Sequence, residues 1–378
     1  MELTAGQTLW SAFAEVSDPR VERTKEHYLL DIIVIAVCAV ICGADNWVEI
    51  EMWGQENAVW LAQYVDLPNG IPTHDTFGRV FARLDETECQ NAFLKWIQTA
   101  YRLTAGQVIA IDGKQLRRSH DRTQGKAAIH RVSAWASHNH LTLGQQKVDA
   151  KSNEITAIPH LLDVLMVEGG IVTIDAMGCQ KEIAHKIIDK KADYVLSLKE
   201  NQPTLYHEVV DLFSQEASPA EMPLKRDYAR TIDKEHGRLE IRECWTLTDP
   251  QGFPYLYQAA DWVNLQTVVM VRRERRLPDK TTVETAYYIS SLPTAAAPLL
   301  DAVRSHWGIE NSLHWVLDLA FREDESRMRS GNSPQNFAVL RHVALNLLKQ
   351  EQTTKLGIKA KRLKAACSHT YLLKVLAL

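Results

Sequence analysis

The sequence predicts an α/β protein with a helical N-terminal region, and three observations predict it. Residues 1 to about 105 place apolar side chains at helical spacing. From about residue 107 the pattern becomes that of strands, with short apolar, β-branched runs such as Val108 to Asp112 and Ile171 to Asp175. Beyond residue 200 the chain alternates in strand fashion, and helical periodicity returns at Ala297.

The elements follow in order. Leu29 to Cys42 is an apolar helix that ends at Gly43, a natural C-cap. Trp47 to Tyr64 continues at helical spacing, and Thr73 or Asp75 caps a helix with Phe77, Val80, Phe81 and Leu84 on one face. Such a region suits a DNA-binding module as well as a scaffold or dimerisation domain. Val108 to Asp112 is strand one, and Ile129 to Ser137 with Leu141 to Val148 form a hairpin about His138-Asn139-His140. Ile158 to Leu165 is a short helix and Ile171 to Asp175 is strand four. Gln180 to Lys190 is an amphipathic helix and Asp193 to Leu198 is strand five. Three strands, a helix, a strand, a helix and a strand match the mixed order of an RNase H-like sheet, in which the first and fourth strands stand side by side. Leu239 to Thr246, Thr267 to Arg272 and Thr282 to Ser290 form a β-rich insertion whose loops carry Pro250, Gly252, Pro254 and Pro278. Helices over Ala297 to Val303, His306 to Leu319 and beyond Pro334 complete the chain. The division expected is a helical domain over 1–105, an RNase H-like core over 106–350 with its insertion at 200–292, and a basic segment over 351–378.

Composition bounds the function. With 378 residues, 46% hydrophobic and 24% charged, the chain has the make-up of an ordinary globular protein. A net charge of −4 counts against a wholly basic nucleic-acid binder, but cations cluster at 114–131 and 353–378. The six cysteines form no CxxC pair, so they read as free thiols in a reducing cytoplasm. No basic-then-apolar leader opens the chain, and Leu29 to Ala44 is too short to span a bilayer.

The chemistry rests on Asp112 and Asp175, each delivered by a buried strand to a sheet edge and followed by small residues. Two such carboxylates joined by Glu310 could hold divalent metal, Mg²⁺ or Mn²⁺ in its place, for phosphodiester chemistry. Each acid alone has a plainer reading, since an Asp ending a strand often forms a turn. His306, Glu310, His314 and Asp318 recur every four residues, a stripe that by default faces solvent. The stripe lacks the HExxH pattern of a zinc site. Lys114, Arg117 and Arg118 could contact phosphate beside Asp112. Asn201, after strand five, and Arg238, in the basic turn of the insertion, are further DNA contacts to consider. Trp307 could pack internally or stack on an extruded base.

Four separated motifs then show a resemblance. Ala110-Ile111-Asp112-Gly113-Lys114, Ser152 to Pro159, Thr173 to Gln180 and His306-Trp307-Gly308-Ile309-Glu310-Asn311 resemble the H-repeat-associated proteins, bacterial insertion-sequence transposases of the DDE type. The resemblance implies an RNase H-like core using magnesium, with Asp112, Asp175 and Glu310 as catalytic and metal-binding triad. It implies cleavage at the element's terminal inverted repeats and attack of the freed 3′-hydroxyl on target DNA, in the cytoplasm, with a homodimer on DNA and no membrane. Related transposases carry Tyr-x-x-Arg-x-x-x-Glu-x6-Lys about the third acid; here those positions read Val303, His306, Glu310 and Leu317. Arg304 stands beside the missing cation, so Arg304, His306 and Trp307 join the DNA-contact set. An inactive DNA-binding remnant and a nuclease that never joins strands are the alternatives.

Overall fold

A computed structural model describes residues 4–101, 105–115, 130–148, 154–214, 224–235, 237–249, 251–293 and 295–377. Arg117 and Arg118 lie outside the described residues.

The N-terminal region is helical: α1 (Ala5–Phe13), α2 (Leu29–Ile41), α3 (Trp47–Glu56), α4 (Ala58–Leu61), α5 (His74–Arg83) and α6 (Glu86–Ala100). Side-chain caps start four of these helices. Thr4 and Gln7 form a reciprocal capping box on α1, and Asn46, Thr73 and Asp85 accept first-turn N–H groups of α3, α5 and α6. The run Trp47 to Tyr64 is two helices rather than one. It breaks at Asn57, whose side chain donates back to the Trp53 carbonyl at 2.8 Å.

The α/β part opens with β1 (Val108–Gln115), β2 (His130–Ala136) and β3 (Leu141–Val148), an antiparallel meander. It continues through α7 (Glu154–Val164), β4 (Ile171–Ile174), α8 (Lys181–Asp189), β5 (Asp193–Leu198) and α9 (Pro203–Ser214). β4 lies between β1 and β5 and runs parallel to both. α7 begins at Glu154, before Ile158, and carries Pro159 within it instead of near its start. The residues beyond form four long antiparallel strands, β6 (Lys225–Glu235), β7 (Arg238–Thr248), β8 (Thr267–Arg276) and β9 (Thr281–Ser290). They extend the same sheet, because β9 pairs with β5, and the full order is β3-β2-β1-β4-β5-β9-β8-β7-β6. β6 escapes a sequence reading because it is the edge strand. Its run Lys-Arg-Asp-Tyr-Ala-Arg-Thr-Ile-Asp-Lys-Glu meets solvent and shows little apolar alternation.

The chain ends in α10 (Ala296–His306), α11 (Trp315–Phe321), α12 (Ser333–Gln350), α13 (Ile358–Cys367) and α14 (His369–Val375). α12 is buried almost all round and joins the halves of the molecule. Its Asn346 bonds both N–H and C=O of Thr142 in β3 at 2.9 Å, and its Asn336 donates to the carbonyls of Phe81 and Leu84 at the end of α5. One continuous apolar core therefore runs from the N-terminal helices into the sheet. Two cations of the basic C-terminal segment point inward. Lys361 donates to the Leu348 carbonyl at 2.9 Å, and Arg362 to the Val40 and Ala44 carbonyls and to Asp45, capping α12 and α2. Among the described residues no helix is long and apolar enough to cross a membrane.

Candidate active site

The parallel register sets Ile111 of β1 against Ile174 of β4, so Asp112 and Asp175 are the next residues on neighbouring strands. Strands in a sheet lie about 4.8 Å apart. β1 runs on past Asp112, pairing Asp112 with Ser133 of β2, whereas β4 stops at Ile174 and leaves Asp175 to open a turn. One Asp175 oxygen accepts the N–H groups of Met177 at 3.1 Å and Gly178 at 3.3 Å, so Asp175 forms that turn and faces Asp112 together.

Glu310 lies between α10 and α11 in a π-helical turn over Glu310–His314, closed by the Trp315 N–H donating to the Glu310 carbonyl five residues back. Three members of the polar stripe turn onto the strands, while Glu310 itself is exposed. His306 shares a 3.0 Å hydrogen bond with Thr173 of β4, His314 Nδ1 lies 3.4 Å from Asp112 Oδ2, and Asp318 meets the Lys114 ammonium at 2.5 Å. Burial lowers both imidazoles, His314 to about 4, where Lys114 adds to the effect. They are neutral near pH 7.

Asp112 is the most perturbed acid of this group. Burial pushes its carboxyl up to about 7, and the charges of Asp175, Glu154 and Glu310 push the same way against a bond from the Gly113 N–H. Glu154, at the start of α7, was missed as a site acid. It is buried, contacts His130 at 2.7 Å, and its own carboxyl is raised by burial and by Asp175. Its signal in the sequence was the motif Ser152 to Pro159, read only as a family mark. Gly113 explains the contact: a Cβ there would meet Glu154 Oε1 at 2.0 Å, so the residue after Asp112 has no room for a side chain. Among the described residues no three His, Cys, Asp or Glu side chains are drawn into a ready-made metal cage.

Lys114 is held from below. Its ammonium bonds Asp318 and, at 3.2 Å, Glu323, which is buried with Arg131 at 3.8 Å and Arg341 at 3.9 Å. Burial alone would raise the Glu323 carboxyl, but Lys114, Arg341 and Arg131 hold it at about 2. The other sequence-named residues fall into two groups. Asn201 donates to the Ala176 carbonyl and braces the turn after Asp175. Arg238, Arg304 and Trp307 come together with Asn311 around a cavity of about 310 Å³ between the extended strands and α10, beside Glu310. There Arg238 pairs with Glu240 at 3.3 Å, Arg304 with Asp233 at 3.1 Å, and Trp307 is exposed.

Comparison with known proteins decides the family. Residues 103–347 match the family model described as Transposase DDE domain, and residues 10–97 match the one described as DDE_Tnp_1-associated. The chain belongs to the DDE transposase family. It is 41% identical over 372 residues to "Putative transposase YncI" of Escherichia coli O157:H7, covering 98% of this chain and 95% of that protein. It is 38% identical over 368 residues to "H repeat-associated putative transposase YhhI" of Escherichia coli strain K12, with 93% of each covered. A piggyBac transposase solved as a synaptic complex with hairpin DNA aligns over 97% of this chain and 77% of that one, with 10% identity and a TM-score of 0.42. In this DDE transposase Val303 and Leu317, which depart from the signature about the third acid, are buried core residues.

Proposed function

We propose that this DDE transposase cuts the ends of its insertion sequence and joins them to target DNA, with Asp112, Asp175 and Glu310 as the catalytic acids. The observation that carries the proposal is the pairing of Asp112 and Asp175 on adjacent parallel strands, with Asp112 raised to about 7 by burial and by the neighbouring carboxylates. In this reading β1 to β5 form an RNase H-like core, residues 1–105 and 351–378 flank it, and β6 to β9 are its insertion.

The donor set fits a hard divalent ion. The acids supply oxygen ligands from three elements, and their mutual repulsion is what a cation between them would relieve. Bound there, Mg²⁺ or Mn²⁺ would activate the attacking oxygen and stabilise the leaving one. The chain's own groups do the rest. His314 and the Glu323-anchored Lys114 set the position of the β1 end, and Asn201 braces the turn that presents Asp175. The cavity shared by Arg238, Arg304 and Trp307 offers two guanidinium groups and an exposed indole beside Glu310, suited to a DNA strand at its cut end. His306, neutral and bonded to Thr173, holds the helix before Glu310 against β4. Bringing two element ends together fits a homodimer on DNA.

The test uses purified protein, Mg²⁺ or Mn²⁺, and a plasmid bearing the DNA that flanks its gene. Metal-dependent cuts at defined ends are expected, lost in Asp112→Asn, Asp175→Asn and Glu310→Gln while DNA binding stays within a few fold. Cleavage retained in all three variants refutes the assignment. Binding at those ends without cleavage by the unaltered protein favours a catalytically inactive remnant.

A further inference from the structure

A cavity of about 890 Å³ lies away from the acids, where the N-terminal helices meet the segment between α11 and α12. One wall is α5, which presents Arg79 and Arg83 one turn apart on an exposed face. The other is residues 322–330, a 3-10 turn over Glu323–Glu325 followed by extended chain in which Arg327 and Arg329 alternate and are exposed. Two arginines at helical spacing thus face two at strand spacing.

Two of the acids on this groove are paired with cations and a third accepts a backbone N–H. Asp45 takes Arg362 at 2.9 Å, Glu49 accepts the Asp45 N–H at 2.6 Å, and Glu325 takes Arg322 at 2.9 Å. Asp75 stands 3.7 Å from His74. Among the described residues no ion pair engages Arg79, Arg83 or Arg327. The walls are also locked together. The Asn332 N–H donates to the Ala82 carbonyl at 3.0 Å, its side chain to the Leu84 carbonyl at 3.0 Å, and Asn336 to the Phe81 carbonyl at 2.8 Å. Gly331, at φ +49°, packs so tightly that a Cβ would meet the Ala82 carbonyl oxygen at 2.3 Å. A fixed groove lined by guanidinium groups pays little ordering cost when it binds. It is linked to the acids through one end of its wall: Arg322 precedes Glu323, which holds Lys114, two residues from Asp112.

We infer that this groove is a second DNA-binding site, a track for the backbone phosphates of duplex DNA leading away from the cleavage site, and that the N-terminal helical region supplies one of its walls. The inference rests on the transposase reading above. Spacings of about 6 Å for residues one helical turn apart and about 7 Å for alternate residues of extended chain suit successive phosphates along a strand. Guanidinium forks bind phosphate oxygens bidentately.

The experiment measures binding of the full chain to a fluorescently labelled duplex from the DNA flanking its gene, by anisotropy over a salt series. Arg83→Ala/Arg327→Ala is expected to bind about tenfold more weakly at low salt, and to lower the slope of log K against log salt by about 2. Arg83→Lys/Arg327→Lys should keep the slope, since the charge is kept. Lys186→Ala/Lys190→Ala, the same charge loss on α8 and at its C-cap, should bind like the unaltered protein. Unchanged affinity and slope in Arg83→Ala/Arg327→Ala, with the unaltered protein binding well, overturns the groove and leaves the transposase reading intact. An equal loss in the α8 variant overturns it too, since the effect would then be one of overall charge. Failure of the unaltered protein to bind any duplex removes the reading on which the groove rests.

Discussion

Asp112→Asn should make the metal-free protein more stable at alkaline pH, although it removes the residue at the centre of the site. In the folded chain the carboxyl is held at about 7 against an ordinary 3.8, by burial and by Asp175, Glu154 and Glu310. That difference corresponds to about 4 kcal/mol. Below pH 3.8 both folded and unfolded forms carry the proton, and nothing is lost. Between 3.8 and 7 the unfolded form gives up its proton first, so stability falls as pH rises, and above 7 the penalty is complete. Asparagine removes the penalty but weakens the contact with His314, so a net gain of about 2–4 kcal/mol is expected at pH 8, shrinking towards zero near pH 4. Urea unfolding in EDTA at pH 4.5, 6 and 8 measures it. A gain that does not grow with pH, or a variant less stable than the parent at pH 8, would refute the idea that Asp112 sits among unneutralised acids.

Three further outcomes follow from the same geometry. Affinity for Mn²⁺, read by titration calorimetry, should climb about tenfold per pH unit below about 7 and level off above it, because the ion displaces the Asp112 proton; a flat profile counts against Asp112 as a ligand. Gly113→Ala should cost about 1–3 kcal/mol and slow cleavage, since its Cβ must displace the Glu154 carboxylate; unchanged melting and cleavage would show that Glu154 can move freely. Glu323→Gln should destabilise by about 3–5 kcal/mol at pH 7 by leaving Lys114, Arg131 and Arg341 without their shared anion. Its support is present above the ordinary carboxylate value and fades as pH falls towards 2, so parent and variant should converge in acid unfolding; a gap that persists there rules the charge out as the cause.

What could be read from the sequence was local. Val108 to Ile111 and Ile171 to Ile174 are short apolar runs rich in β-branched residues that read as buried strands, and each is followed by its aspartate where the apolar run stops. The adjacency of Asp112 and Asp175 follows once the strand and helix order is known. The start of α5 was visible as its capping residue Thr73, because a cap acts within four residues of the chain.

What the tertiary structure decided involves partners far apart in the chain. Glu154 reaches the site only because α7 packs its first turn against Gly113. The Glu323 cluster gathers Lys114, Arg131 and Arg341 from β1, β2 and α12, and none of these residues marks the others in the sequence. The π turn at Glu310 adds no recognisable residue; it is settled by how α10 and α11 seat on the sheet. Arg362 counted in the sequence as one cation of the basic segment over 351–378 and is a helix cap in the structure, because a guanidinium beside unpaired carbonyls is held more firmly than one in water. Residue type and period determined which groups could do chemistry here. Only packing determined which of them are buried, paired or left exposed, since burial and pairing depend on every element that closes around a side chain.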